Sequence, residues 1–147
     1  MSVHSISISR HPSARQVWQA AASTGAVIHS NSWGYYGCVV GDSTYYNDQY
    51  LVEHPRHLLL FAAGNKGDIS KDLCSITTPA TGKNSLAVGS SSSGITRFAV
   101  GSSIDEVPGF SGRGPLADGR IKPDVSIVCV FSFFLIPRGM GKNRPKS

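Results

Sequence analysis

The stretch that most constrains this chain is Leu58-Leu-Leu-Phe-Ala-Ala63, six apolar residues in a row between His57 and Gly64. The run is too short for a buried helix and lacks the alternation of a half-exposed strand. It predicts a strand covered on both faces, as strands of parallel sheets are. Gly64 ends the run abruptly, and Asn65 follows with an amide that can both donate and accept hydrogen bonds. In open α/β sheets, ligands and chemistry collect outside the carboxyl ends of the strands. The rest of the chain is best understood by how it is arranged around that end.

Upstream, Ala14, Trp18, Ala21 and Ala22 fall on one helical face. Ser13-Ala-Arg-Gln16 forms a capping box before them, and Gly25 is placed to stop the helix. Residues 26–31 are a second candidate strand. Residues 44–54 predict a helix that starts near Asp42 or Ser43, carries Tyr46 and Tyr50 on one face and stops at Pro55. Helix, strand, helix, strand is the order of a parallel α/β sheet. Downstream, residues 69–84 read as a long loop, 85–89 as a third short strand and 90–94 as a polar connection. Residues 96–100 read as a minor strand, 110–115 as a compact turn and 120–125 as the start of a further strand.

A chain of 147 residues can bury roughly 70% of its unfolded surface, enough for one domain with a real core. The expected organisation is an irregular segment over 1–12, an α/β unit over 13–125 and a tail over 126–147. The tail is apolar to Ile136 and basic from Pro137. The apolar stretch over 125–136 is shorter than the ~18 residues of a membrane span, so no membrane span is expected. The net charge of +5 owes much to Arg138, Lys142, Arg144 and Lys146. Without interleaved aromatics these read as solvated charge, and nucleic acid is not expected as a partner. Cys38, Cys74 and Cys129 are widely spaced with no CxxC, so zinc is not expected, and either one disulfide or three thiols fits. The first twelve residues lack the apolar run of a signal peptide.

Two chemical readings compete at the end of the central strand. In one, Asn65 presents its amide to a developing oxyanion. In the other, Asn65-Lys66-Gly67-Asp68 is the guanine-reading box of GTPases. The second also needs a Gly-x-x-x-x-Gly-Lys-Ser/Thr phosphate loop, and the chain has none. Ser32-Trp33-Gly34-Tyr35-Tyr36-Gly37, after the second candidate strand, is an aromatic, Gly-rich loop that can line a groove or cap a core edge. His29 reads as a packed strand residue rather than a base.

Five blocks then occur in one order: Ser32-Trp33-Gly34, Phe61-Ala-Ala-Gly-Asn65, Thr78-Pro-Ala-Thr-Gly-Lys-Asn-Ser-Leu-Ala-Val-Gly89, Phe110-Ser-Gly-Arg-Gly-Pro115 and Asp118-Gly-Arg-Ile-Lys-Pro-Asp-Val125. Together they resemble the subtilisin-like serine proteases over about residues 14–125. The resemblance implies a three-layer α/β/α sandwich with a mainly parallel sheet, here incomplete, and peptide-bond hydrolysis by a serine nucleophile. It makes Asn65 the oxyanion-hole asparagine. It makes Ser32, Trp33 and Gly34 the segment that pairs with substrate backbone, and Ala63 and Gly64 the wall of the pocket for the residue before the scissile bond. It implies a polypeptide substrate and a secreted full-length parent. No cofactor is implied by these blocks, and the calcium binding found in the full-length family has no signature here.

The triad blocks are missing. No Asp-Ser/Thr-Gly, His-Gly or Gly-Thr-Ser occurs. The chain therefore reads as the middle of a catalytic domain, inactive by itself, or as a non-catalytic peptide-binding relative. After Val125 the family pattern of Ala-Pro-Gly gives way to Ser126-Ile-Val-Cys129, as truncation or translation through a splice junction would produce.

Overall fold

The computed structural model describes residues 14–68, 74–92 and 106–128. The capping serine Ser13, the minor strand expected at 96–100, residues 1–12 and the tail beyond Val128 lie outside them. The described elements run α1 (Ala14–Ala22), β1 (Ile28–Asn31), α2 (Asp42–Glu53), β2 (Leu58–Ala62), β3 (Leu86–Ser91) and β4 (Val125–Val128). The four strands form one sheet in the order β1-β2-β3-β4, every neighbouring pair parallel. This is the α/β class expected from the sequence, with two helices on a parallel sheet.

Registers set which residues share a face. His29 is paired with Leu59, Asn31 with Phe61, and Phe61 with Ala87. Leu59, Phe61 and Ala87 are buried and form one core with Trp18 of α1 and with Tyr50 and Leu51 of α2. Ile76, Ala80 and Leu116, from the long connections before β3 and β4, join the same core. A right-handed crossover places its connection on a fixed side. Strands added in one direction therefore stack all their connections on one face. The helices and the described parts of both long loops, through Ile76, Ala80 and Leu116, cover that face, and among the described residues nothing of the third layer covers the other.

The sequence pattern misreads several places. The buried stripe of α2 is Thr44, Asn47, Tyr50 and Leu51, while Tyr46 is exposed. Half of this stripe is polar because it is hydrogen-bonded: Trp18 Nε1 donates to Asn47 Oδ1 at 2.8 Å, and Thr44 and Thr81 share a hydroxyl contact at 3.2 Å. The described part of the expected long loop is packed rather than loose, with Ile76, Thr77, Thr78, Ala80 and Thr81 all buried. β3 runs two residues further than expected, through Ser91, because Ser90 and Ser91 pair with Ile127 and Val128.

Residues 120–124 are not strand. They form a lock that precedes β4. Lys122 is buried, and its Nζ lies 2.6 Å from Asp124 Oδ2 and 3.1 Å from the Ser85 carbonyl. The same Asp124 oxygen accepts the Ala87 amide at 2.7 Å, and the Asp124 amide donates to the Ala87 carbonyl at 2.9 Å. The buried ammonium is thus neutralised and hydrogen-bonded, as a desolvated charge requires.

Three histidines gather with α2. His29 is buried, with its ring 5.8 Å from Trp18 and 5.7 Å from His57. His57 Nδ1 shares a 2.8 Å hydrogen bond with the Tyr50 hydroxyl, and the His54 ring stacks on Tyr50. Burial, then the neighbouring His57, holds the His29 pKa below the ordinary histidine value. Burial, then His54 and Arg56, does the same for His57. Both folded pKa values lie below the unfolded ones, so on acidification the unfolded chain takes up protons first. Stability contributed at neutral pH is lost as pH falls from about 6.5 toward the depressed folded values. The urea midpoint of the chain is expected to drop between pH 7.5 and 5, and His29→Leu is expected to flatten that slope. A midpoint independent of pH over this range would contradict the assignment.

Candidate functional site

The carboxyl end of β2 is fixed by the chain around it. The Ala63 amide donates to the Val88 carbonyl at 2.8 Å, continuing the ladder past the last strand residue. The Ala62 carbonyl accepts the Thr77 hydroxyl at 3.0 Å, and the Ala63 carbonyl accepts the Thr77 amide at 2.9 Å. The Gly64 carbonyl accepts the Gly112 amide at 2.9 Å, and the Gly67 amide donates to the Phe110 carbonyl at 2.8 Å. Two separate segments, around Thr77 and around residues 110–112, therefore clamp the turn that carries Asn65.

Gly64 has φ +110°, a conformation L side chains rarely adopt, and a Cβ there would lie 2.5 Å from the Thr77 methyl. Gly34 meets the same residue from the other side: a Cβ would lie 2.8 Å from Thr77 Oγ1. The two glycines let the loops after β1 and β2 close on Thr77 together. The loop after β1 is also held from below. Tyr35 and Thr78 exchange backbone hydrogen bonds of 2.8 and 2.9 Å, and the Val39 carbonyl accepts the hydroxyls of both Thr78 and Thr81. A disulfide joins Cys38 to Cys74, which resolves the choice the spacing left open for these two residues.

These constraints open a cleft of about 510 Å³ across the strand ends. Ser30, Asn31 and Ser32 line it from β1, the residues from Leu60 to Asn65 from β2, and Val88, Gly89 and Ser90 from β3. Phe110, Ser111, Ile127 and Val128 complete it. The structure thus brings Ser32, Ala63, Gly64 and Asn65 to one cleft, although about thirty residues separate the two loops in sequence. Trp33 and Gly34 stand beside it. Trp33 packs edge-on against Phe61 with ring centroids 5.6 Å apart, and Gly34 lies on Thr77.

Asn65 is exposed, and its side-chain amide makes no hydrogen bond among the described residues. Lys66 lies over the Tyr36 ring, 3.7 Å from its centroid. Among the described residues no titratable side chain lines the cleft. His29 and His57 belong instead to the cluster with Trp18 and Tyr50 described above. Among the described residues no group of three or more His, Cys, Asp or Glu could hold a metal, and no helix is long and apolar enough to cross a membrane.

Sequence reasoning missed Ser90, Ser111, Ile127 and Val128. Ser111 Oγ accepts the Ser90 amide at 3.0 Å, and Ser90 Oγ is buried without a partner among the described residues. The signal lay in the Phe110-Ser-Gly block, which was legible as a turn but not as a cleft wall.

The model of the subtilase family, the peptidases S8, matches residues 6–129. The chain belongs to the subtilase family. A solved structure, that of the prenylagaramide maturation protease PagA, is similar to this subtilase at 22% identity and a TM-score of 0.50. The likeness covers 78% of this chain and 34% of that one, so this subtilase spans about a third of the protease it matches. No curated protein sequence matches it.

The clamp on the turn can be tested at Gly64. Gly64→Ala forces a Cβ onto Thr77 and strains the backbone, and is expected to cost about 1–3 kcal/mol. Gly41→Ala, where a Cβ meets nothing within 4 Å, is the control and is expected to change stability by about 1 kcal/mol or less. Equal denaturation midpoints for the two variants would show that the turn is not clamped.

Proposed function

We propose that this chain is the groove-forming and anion-stabilising part of a serine endopeptidase domain. In the full-length parent the Asn65 amide donates to the oxygen that becomes negative as a serine attacks the peptide carbonyl. Ala63 and Gly64 wall the pocket for the residue before the scissile bond. Ser32, Trp33 and Gly34 present backbone to an extended polypeptide substrate, in the manner of strand addition.

The observation that supports this reading is a cleft at the ends of β1 and β2 whose described lining is uncharged, with the Asn65 amide, unpaired among the described residues, on its wall. Catalysis by an oxyanion hole needs a donor already placed where charge develops, in surroundings that do not screen it. A donor consumed by the core would be useless for this, and no described residue takes up the Asn65 amide. For the chain by itself, a cleft with no titratable group among the described residues favours peptide binding without turnover.

The test is Asn65→Ala in a domain completed with in-frame Asp, His and Ser blocks. The expected loss is about 10²–10³ in kcat, the magnitude known for the oxyanion-hole asparagine of subtilisin itself, with KM changed by no more than about threefold. Because the side chain is exposed and makes no hydrogen bond among the described residues, the melting temperature is expected to stay within a few degrees. Unchanged kcat in a folded variant would remove the role assigned to Asn65.

A further inference from the structure

The described lining of the cleft carries no charge, but a cation stands at its rim. Lys66 directly follows Asn65, which lines the cleft. It precedes Gly67, whose amide is bonded to the carbonyl of Phe110, another lining residue. The Lys66 ammonium rests on the Tyr36 ring. Tyr36 belongs to the loop after β1, and Ser32 at the start of that loop also lines the cleft. The pair therefore joins the two loops that bound the groove.

Lys66 is half-buried, yet its ammonium has no ion pair or hydrogen bond among the described residues. Asp68, the nearest carboxylate in sequence, lies against Gly109 instead. Arg120 and Lys122, which are also withdrawn from solvent, each have a carboxylate and a carbonyl partner. An aromatic ring holds a cation in place through its quadrupole but leaves the charge uncancelled. A partly desolvated charge gains from an opposite one. Beside a groove with no charge of its own, such a cation discriminates between passing side chains by sign.

We infer that Lys66, positioned by Tyr36, is a specificity-determining residue that favours peptides carrying a glutamate or aspartate side chain where they pass the rim of the cleft. The inference rests on the reading of the cleft as a peptide groove and adds the class of peptide it takes. The competing account makes the pair a latch between the loops with no part in selection. A latch would support every peptide equally, whereas a selecting cation separates acidic from neutral ones.

The experiment measures binding of a set of fluorescent hexapeptides to the full chain by anisotropy. Both peptide ends are blocked, so that no terminal charge contributes. One glutamate is moved through the six positions, and each peptide is compared with its glutamine counterpart. At one position glutamate is expected to bind about fivefold more tightly than glutamine at low salt. In about 0.5 M salt the preference is expected to shrink. Lys66→Gln is expected to remove it while leaving the glutamine peptides within about twofold, and Lys66→Arg to retain it. Lys83→Gln removes an equal charge from the loop before β3, at the opposite end of the sheet, and is expected to leave the preference intact. Equal affinities for every pair, a preference that survives Lys66→Gln, one that Lys83→Gln abolishes as well, or a loss in Lys66→Gln shared equally by both kinds of peptide would overturn the inference and leave the groove reading standing. Failure of every peptide to bind would overturn both.

Discussion

The hydrogen bonds at the carboxyl end of β2 are what the rest of the molecule depends on. The carbonyls of Ala62, Ala63 and Gly64 all accept hydrogen bonds, from the Thr77 hydroxyl, the Thr77 amide and the Gly112 amide. Each such bond adds only about 1 kcal/mol net, but a buried carbonyl left unpaired costs about 1–3 kcal/mol. The constraint therefore works mainly by exclusion: any arrangement that moves Thr77 or Gly112 away orphans the end of the central strand. The segments that satisfy these groups are the ones that shape the cleft. Thr77 also seats Gly34, and the Phe110–Gly112 turn brings Ser111 to Ser90. The turn bearing Asn65 is held through hydrogen bonds of its flanking backbone, while the Asn65 side chain makes none among the described residues.

This explains which parts of the fold were legible in the sequence. The run at 58–63 was legible as a strand from its short, unbroken apolar stretch, but the expectation of cover on both faces is not met among the described residues: Leu59 and Phe61 are buried on the helix side, while Leu58 is exposed and Leu60 half-buried on the other. α2 was legible at its ends, where Asp42 favours the helix N-terminus and Pro55 blocks extension, but not in its buried face. Asn47 and Thr44 are polar residues whose partners, Trp18 and Thr81, lie about thirty residues or more away in sequence. No local periodicity can report such pairings. Similarly, residues 120–124 looked like a strand because they lead into one, whereas Lys122 and Asp124 act through contacts with Ser85 and Ala87. Of the candidate site, the two loops from β1 and β2 were legible as motifs. The wall contributed by Ser90, Ser111 and β4 was not, since its place depends on the register of β3 with β4.

The division of chemistry within the chain follows from the same architecture. His29 and His57 lie on the helix side, with α2 and Trp18, where burial, largest among the causes, lowers the pKa of both. The cleft lies at the strand ends and, among the described residues, is lined by apolar, hydroxyl and amide groups. In the proposed reading it holds an extended peptide and stabilises a developing negative charge, and no described residue of its lining could activate a nucleophile. Its serines, Ser30, Ser32, Ser90 and Ser111, have no histidine beside them in the cleft among the described residues. Removing a triad serine or histidine costs about 10⁶-fold in turnover, against the 10³–10⁴-fold that binding and the oxyanion hole retain. In the proposed reading, the triad groups of the parent carry the larger share of the rate.

The claim that this chain holds the anion-stabilising part of a protease site without its nucleophile is tested most directly by labelling with a fluorophosphonate, which reacts with activated serines. Residues 1–147, purified free of host proteases, are predicted to take up no stoichiometric label. A domain completed with the triad blocks is predicted to label at one serine outside this chain. Stoichiometric labelling of Ser32, Ser90, Ser111 or any other serine of residues 1–147, together with turnover of a peptide substrate, would contradict the account.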